Sequence, residues 1–231
     1  EYKKNFFALF PSAFISWSLP HDNELQLNYT RRLRRPWGPQ LNSFRNIEDP
    51  TNIHMGNPEL EPEYTNSFEL NIKSWTQHMV SLSAYVRTSD NMISHISFMG
   101  ESSITPGEQT MYQSHANVGK QVNSGCEIVV KNNLFNRVLD LTTTANLYNN
   151  HISAWSTIYP MDGVDYKISG ARQNSFAWDI RCMASVRMPW GLSFQATGRY
   201  NSRTFTAQGT REPGWDIEAG IRKTAGNWSF S

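Results

Sequence analysis

This chain has few charges, almost no net charge, few cysteines and no long apolar run. Of its 231 residues only 18% are charged, and 21 basic side chains stand against 20 acidic ones, a net charge of +1. No basic face follows from that balance, so nucleic acid is not an expected partner. A membrane-spanning helix needs roughly 18 or more consecutive apolar residues. No stretch approaches that length, which excludes a helical membrane protein. The two cysteines, Cys126 and Cys182, sit in mid-strand positions on the apolar face. They read as small apolar residues and not as a disulfide.

Catalytic chemistry is equally sparse. The histidines, His21, His54, His78, His95, His115 and His151, are scattered through turns and connectors, and no pair has the spacing of a metal site. No glycine-rich loop follows a strand and opens a helix, so no phosphate cradle is expected. His151 with Asp162 or Asp165, and His115 with Ser114, come nearest to an acid–base pair, but nothing in the sequence supplies their geometry. The expectation is no enzyme, no cofactor and no metal. No signal peptide is visible over Glu1–Phe10. An exported barrel carries one, so the expectation is either its cleavage or a chain that begins inside a longer protein.

What the chain does have is alternation. Apolar and polar residues take turns with period two, the signal of strands with unlike faces. Ala13, Ile15, Trp17 and Leu19 oppose Ser12, Ser16 and Ser18, and Leu25, Leu27 and Tyr29 oppose Gln26, Asn28 and Thr30. The scheme repeats at 67–73, 80–87, 139–147, 176–187, 192–199 and 216–222. A less regular strand is expected over about 112–130, bent or bulged at Gly119 and Gly125, and a tenth begins at Trp228. Glu69, Lys73, Arg87, Asp140, Asp179, Arg181, Glu218 and Arg222 lie mid-strand on the polar faces. Those faces must be wet, because burying an unpaired charge costs several kcal/mol.

The connectors alternate too. Tight turns are expected near 20–24, 75–78, 131–137, 188–191 and 223–227, and long polar connectors over 33–63, 94–111, 149–173 and 201–213. Short turns on one rim and long loops on the other are the plan of a transmembrane β-barrel. Mean hydropathy is −0.54, so Ser, Thr, Asn and Gln fill the polar positions. The aromatic share is 13%, with eight tryptophans, which suits interfacial girdles. Trp17, Trp75, Trp190 and Trp228 fall near tight turns, and Tyr29, Tyr148 and Tyr200 near the opposite strand ends. The fold expected is therefore all-β, an antiparallel transmembrane barrel of which residues 1–231 supply about ten strands. A soluble β-sandwich, with its core on one side and bulk water on the other, remains the alternative.

One connector carries a family signature. Tyr29-Thr30-Arg31-Arg32-Leu33-Arg34-Arg35-Pro36 is followed by Gly56-Asn57-Pro58-Glu59-Leu60-Glu61-Pro62-Glu63, then by Thr65, Ser67, Glu69 and Leu70. Asn117 and Gly119, with Gly125 and Glu127, supply a third piece. The set resembles the barrel region of TonB-dependent outer-membrane receptors, particularly the Bacteroidetes group, over about Phe10 to Lys223. The resemblance implies the C-terminal part of a barrel of about 22 strands, with the plug and TonB-binding segment outside this chain. It implies uptake of a siderophore, cobalamin, glycan or peptide across the bacterial outer membrane. Expected partners are outer-membrane lipid, the rest of the barrel, the plug, TonB and a surface lipoprotein.

Within the motif, Pro36, Pro58 and Pro62 restrict the backbone, and Gly56-Asn57 supplies turn conformations. Arginines such as Arg32 and Arg35 can donate charge-assisted hydrogen bonds to Glu59, Glu61 and Glu63. The motif reads as a braced rim, with an anionic ligand as the other possibility. Trp155, Tyr159 and Asp162, in the third long connector, combine aromatic platforms with a carboxylate and are the candidates for ligand contact. Met99, Glu101 and Tyr112 form a similar group in the second. A barrel that displays its loops for adhesion or assembly, and transports nothing, is the alternative function.

Overall fold

The structure is a computed structural model that describes residues 8–75, 78–102, 104–225 and 228–230. In chain order the elements begin with β1 (Ser12–Leu19), β2 (Asn23–Arg34), a single turn of helix α1 (Gly38–Leu41), β3 (Asn52–His54), β4 (Glu63–Trp75) and β5 (His78–Asp90). Next come β6 (Ile93–Glu101), β7 (Gln109–Asn117), β8 (Lys120–Leu134), β9 (Leu139–Ile152), β10 (Trp155–Met161) and β11 (Val164–Gly170). The last are β12 (Gln173–Met188), β13 (Leu192–Asn201), β14 (Thr204–Phe205), β15 (Thr210–Arg211), β16 (Gly214–Ala225) and β17 (Trp228–Phe230).

Ten of these form one sheet in the order β1-β2-β4-β5-β8-β9-β12-β13-β16-β17, with antiparallel pairing throughout. The order is an up-and-down meander, and within this chain it does not close. Left-handed residues make the tight turns: His21 and Asp22 between β1 and β2, then Phe135, Asn136 and Arg137 between β8 and β9. Trp190 and Gly191 do the same before β13. The turns expected at 75–78 and 223–227 centre on 76–77 and 226–227, which lie outside the described residues.

Pairing registers carry the alternation across the whole sheet. One apolar row runs Trp17, Leu25, Ile72, Leu82, Ile128, Ala145, Ile180, Tyr200 and Trp215, each residue directly opposite the next. One residue along lies a polar row of Ser16, Gln26, Asn71, Ser83, Glu127, Asn146, Asp179 and Asn201. A slip of one residue anywhere would exchange the two faces.

Burial is inverted relative to a soluble sheet. Leu70, Ile72, Val80, Leu82, Val86, Trp178 and Ile217 are exposed, whereas Asn71, Ser81, Ser83 and Thr197 are buried. Polar groups are paired on their own face: Tyr85 donates to Asn146 Oδ1 at 2.9 Å and Asn146 Nδ2 to Asp179 Oδ2 at 3.0 Å. Arg187 bonds Asp140 at 2.5 Å. Monomeric soluble proteins rarely expose apolar patches beyond a few hundred Å², so this face needs lipid and the sandwich alternative fails. Both cysteines are free.

One expectation needs correction. The strand expected at 112–130 is two strands, because the chain leaves one sheet and enters another at Val118–Gly119. Gly119 there has φ +41, a conformation that disfavours a side chain. The long connectors have structure of their own: they carry a sheet of order β3-β7-β6 and the hairpins β10-β11 and β14-β15. As the alternation of its strand expects, Tyr148 is on the face opposite that of Tyr29 and Tyr200. It lies opposite Gly125 on the polar one, and a Cβ on Gly125 would come within 2.8 Å of its Cβ.

The face assignment is testable by urea titration of the protein folded into liposomes. Leu82→Arg should cost about 2–4 kcal/mol if its row faces lipid, whereas Ser83→Arg, one residue on, should cost far less. Equal costs would remove the lipid face from this side of the sheet.

Candidate functional site

The hydrophobic core of the chain is not in the barrel wall but in the long connectors above it. Ile53, Ile96, Tyr112, Val118, Trp155, Tyr159, Met161 and Ile168 pack into one buried cluster, with Phe98 and Tyr166 against it. Phe98 stacks on Tyr112 and lies 5.1 and 5.2 Å, centroid to centroid, from Tyr166 and Tyr159. Gly170 faces Trp155 because a Cβ there would meet the indole Nε1 at 2.3 Å.

Hydrogen bonds join connectors that are far apart in sequence. β3 runs parallel to β7. Thr110 Oγ1 donates to the Pro50 carbonyl at 3.1 Å, and the Ser97 amide to Gln208 Oε1 at 2.7 Å. Buried Ser114 donates to the Tyr159 hydroxyl at 3.0 Å, which itself donates to the Gly56 carbonyl at 3.1 Å. Arg45 binds Asp162 at 2.7 Å across 117 residues. The four connectors therefore form one folded cap.

The Arg-Pro and Gly-Asn-Pro pieces are its clasp. The Gly56 amide donates to the Asn42 carbonyl at 2.8 Å and the Asn57 amide to the Gln40 carbonyl at 2.6 Å. A Cβ on Gly56 would lie 2.6–2.7 Å from three backbone carbonyls, so only glycine fits. Asn57 Nδ2 reaches the His115 carbonyl at 3.0 Å while its Oδ1 caps the Glu59 amide at 2.9 Å. Pro58 is half-buried, Pro62 is fully buried, and Pro36 leads into α1. Asn117 accepts the Glu61 amide at 2.8 Å and donates to the Glu61 and Asn91 carbonyls, both at 2.9 Å. The third motif piece is thus bonded directly to the second.

Of the expected arginine–glutamate pairs one forms among the described residues, and it uses Arg34. Its guanidinium meets Glu63 at 3.4 Å, and the same carboxylate accepts the Ile93 amide at 3.1 Å. Arg32 and Arg35 instead line a shallow surface with Phe10, Arg31 and Leu33. Trp155 and Tyr159 are 6% and 4% exposed, so these rings belong to the cap interior. Burial pushes the Tyr159 hydroxyl pKa up. Asp162 stays exposed at the tip of β10-β11, where it and Gly163 take left-handed conformations. Tyr112, of the second group, is fully buried, while Met99 is exposed. His151 lies beside β8 and β12 in the barrel sheet, apart from the β10-β11 hairpin that carries Asp162 and Asp165.

Sequence spacing missed a cleft. His95 stands directly opposite His115 across β6-β7, and His54 is on the same face of that sheet. These three face Pro39, Phe44 and Asn46 across a cleft of about 510 Å³. Burial, then the neighbouring His95 and Arg34, push the His115 imidazole below its ordinary pKa. Among the described residues no group of three His, Cys, Asp or Glu is close enough to hold a metal ion. Sequence spacing carries no signal for the cleft, because His95 and His115 become neighbours only through the β6-β7 register.

The model of the outer membrane protein β-barrel family matches residues 1–231. The chain belongs to that family. Its place is therefore the bacterial outer membrane, and the long-connector rim is the outer one. No curated protein matches the chain. The siderophore receptor PirA from Acinetobacter baumannii is 14% identical with a TM-score of 0.51, covering 94% of this chain and 35% of that one. The ferric enterobactin receptor PfeA from Pseudomonas aeruginosa, as a mutant, is 16% identical with a TM-score of 0.53, covering 94% and 33%. At such identities the likeness is one of fold, and the chain spans about a third of the length of these receptors.

In this family member the clasp is a structural device with measurable strength. Asn117→Ala removes three hydrogen bonds and should lower stability by about 1–3 kcal/mol, read by chemical denaturation. Arg45 holds the Asp162 carboxyl below its usual value. The pairing therefore adds stability above the unfolded pKa of about 3.9 and loses it as pH falls through the lower folded one. Amide exchange in β10-β11 should quicken in Asp162→Asn at pH 7 by an amount worth less than about 1 kcal/mol. The difference should vanish in strong acid.

Proposed function

We propose that this chain is part of the barrel of a TonB-dependent receptor that takes up a scarce nutrient through the outer membrane. The observation that carries this reading is the inverted sheet, whose meander follows about a third of two siderophore receptors over 94% of this chain. An open sheet edge is not tolerated in hydrocarbon, and β1 and β17 each have one unpaired side within this chain. The rest of the barrel supplies the missing strands, about 22 in all. The resemblance of the Arg-Pro and Gly-Asn-Pro segments supports reading it as the C-terminal part of a Bacteroidetes-type receptor, with plug and TonB-binding segment before it.

The chemistry fits transport better than catalysis. The polar face, with hydrogen-bonded groups such as Tyr85–Asn146–Asp179, suits a plug or a passing hydrated ligand. The cap is a folded scaffold that presents its surface to the outside, where a surface lipoprotein would dock and a siderophore, cobalamin, glycan or peptide would be selected. The protein moves its ligand unchanged. Energy comes through TonB, because the outer membrane holds neither ATP nor a useful ion gradient.

The test is uptake by cells that carry the full-length protein, with candidate ligands supplied as sole source of the nutrient. Uptake should disappear when TonB is deleted and return when it is restored. Uptake that persists without TonB would sink this reading and leave a display or adhesion barrel.

A further inference from the structure

We propose that the cleft between α1 and the β3-β7-β6 sheet binds a late divalent transition-metal ion, of the zinc, copper or nickel class, through His95 and His115. The site does not depend on the transport reading.

The β6-β7 register sets the two imidazoles directly opposite each other, with ring centroids 5.6 Å apart and planes at 89°. Two imidazoles bound to one tetrahedral ion through Zn–N bonds of about 2.0–2.1 Å have centroids roughly 5–5.5 Å apart. The separation therefore suits chelation of one ion once the rings turn to point a nitrogen of each at it. Nδ1 of His115 is buried without a hydrogen-bond partner among the described residues. Buried polar atoms are rarely left so, and an edge-to-face ring contact alone would not satisfy it.

Surroundings agree with a cation. The nearby Arg34 is paired with Glu63 at 3.4 Å, which offsets its charge. The cleft, about 510 Å³, has room for water to complete the coordination shell. With two protein nitrogens and open positions, the site differs from closed four-ligand structural centres. Imidazole donors without carboxylates suit zinc, copper and nickel and not magnesium or calcium.

The test uses the full-length protein in detergent, stripped with chelator and titrated with Zn²⁺ by calorimetry and with Cu²⁺ by electron paramagnetic resonance. A site with two nitrogen couplings in the copper spectrum is expected. In His95→Ala, an exposed position, its affinity should fall roughly tenfold or more, and His115→Gln should do the same. His21→Ala, in the turn between β1 and β2, should leave it unchanged. Folding of each variant is checked by its heat-dependent mobility on gels, and if His115→Gln fails to fold, His95→Ala decides alone. Absence of zinc or copper binding, or a site unchanged in His95→Ala, would overturn the proposal.

Discussion

A strand in hydrocarbon must give its backbone N–H and C=O groups to its neighbours, because no water replaces a missing partner. The rest of this structure depends on that requirement. It forces continuous ladders from β1 to β17, and continuous ladders lock the register. Once the register is locked, the period-two alternation of each strand becomes a property of the whole sheet. That is why Leu82 and Ser83, neighbours in sequence, belong to rows that meet lipid and polar interior respectively.

The same ladders free the apolar residues of the wall from any duty to build a core. In a soluble protein Leu70 or Ile72 would be the interior, whereas here they are exposed and their solvent is lipid. A water-excluding core forms only where the chain leaves the bilayer. Tyr112, Ile53, Ile96 and Val118 are its least exposed members. Long connectors lose much conformational entropy on ordering, and this cluster, with bonds such as Arg45–Asp162 and Ser97–Gln208, offsets that loss. The cap folds by the rules of a small globular protein, and the wall by the rules of the membrane.

Those two sets of rules explain what could be read from sequence. The wall was legible because one residue decides its own face: Ile15 against Ser16 needs no knowledge of a partner. The alternating rims were legible for the same local reason. The cap was not, since its strands are short and paired with distant segments, as β3 is with β7. Trp155 and Tyr159 read as platforms because nothing local says that Gly170, Ser114 and Gly56 enclose them. Gly119 marked a bend, but the division there into two strands was hidden because it lies in a change of pairing partners, from β6 to β5. His95 and His115 lie far apart in sequence and become neighbours only through the β6-β7 hairpin.

Val118–Gly119 is also where wall and cap are joined. Val118 is wholly buried in the cap core, its amide bonds the Met92 carbonyl at 2.7 Å, and the next strand residue, Lys120, already pairs with β5. Asn117, one residue earlier, holds the Gly-Asn-Pro segment at Glu61. Three residues within four positions, Asn117, Val118 and Lys120, therefore tie the clasp, the cap core and the barrel ladder. The backbone there has no slack: a Cβ on Gly119 would press on Trp155 at 3.3 Å. A cap anchored in this way cannot open one connector at a time, because moving any one breaks contacts with the others.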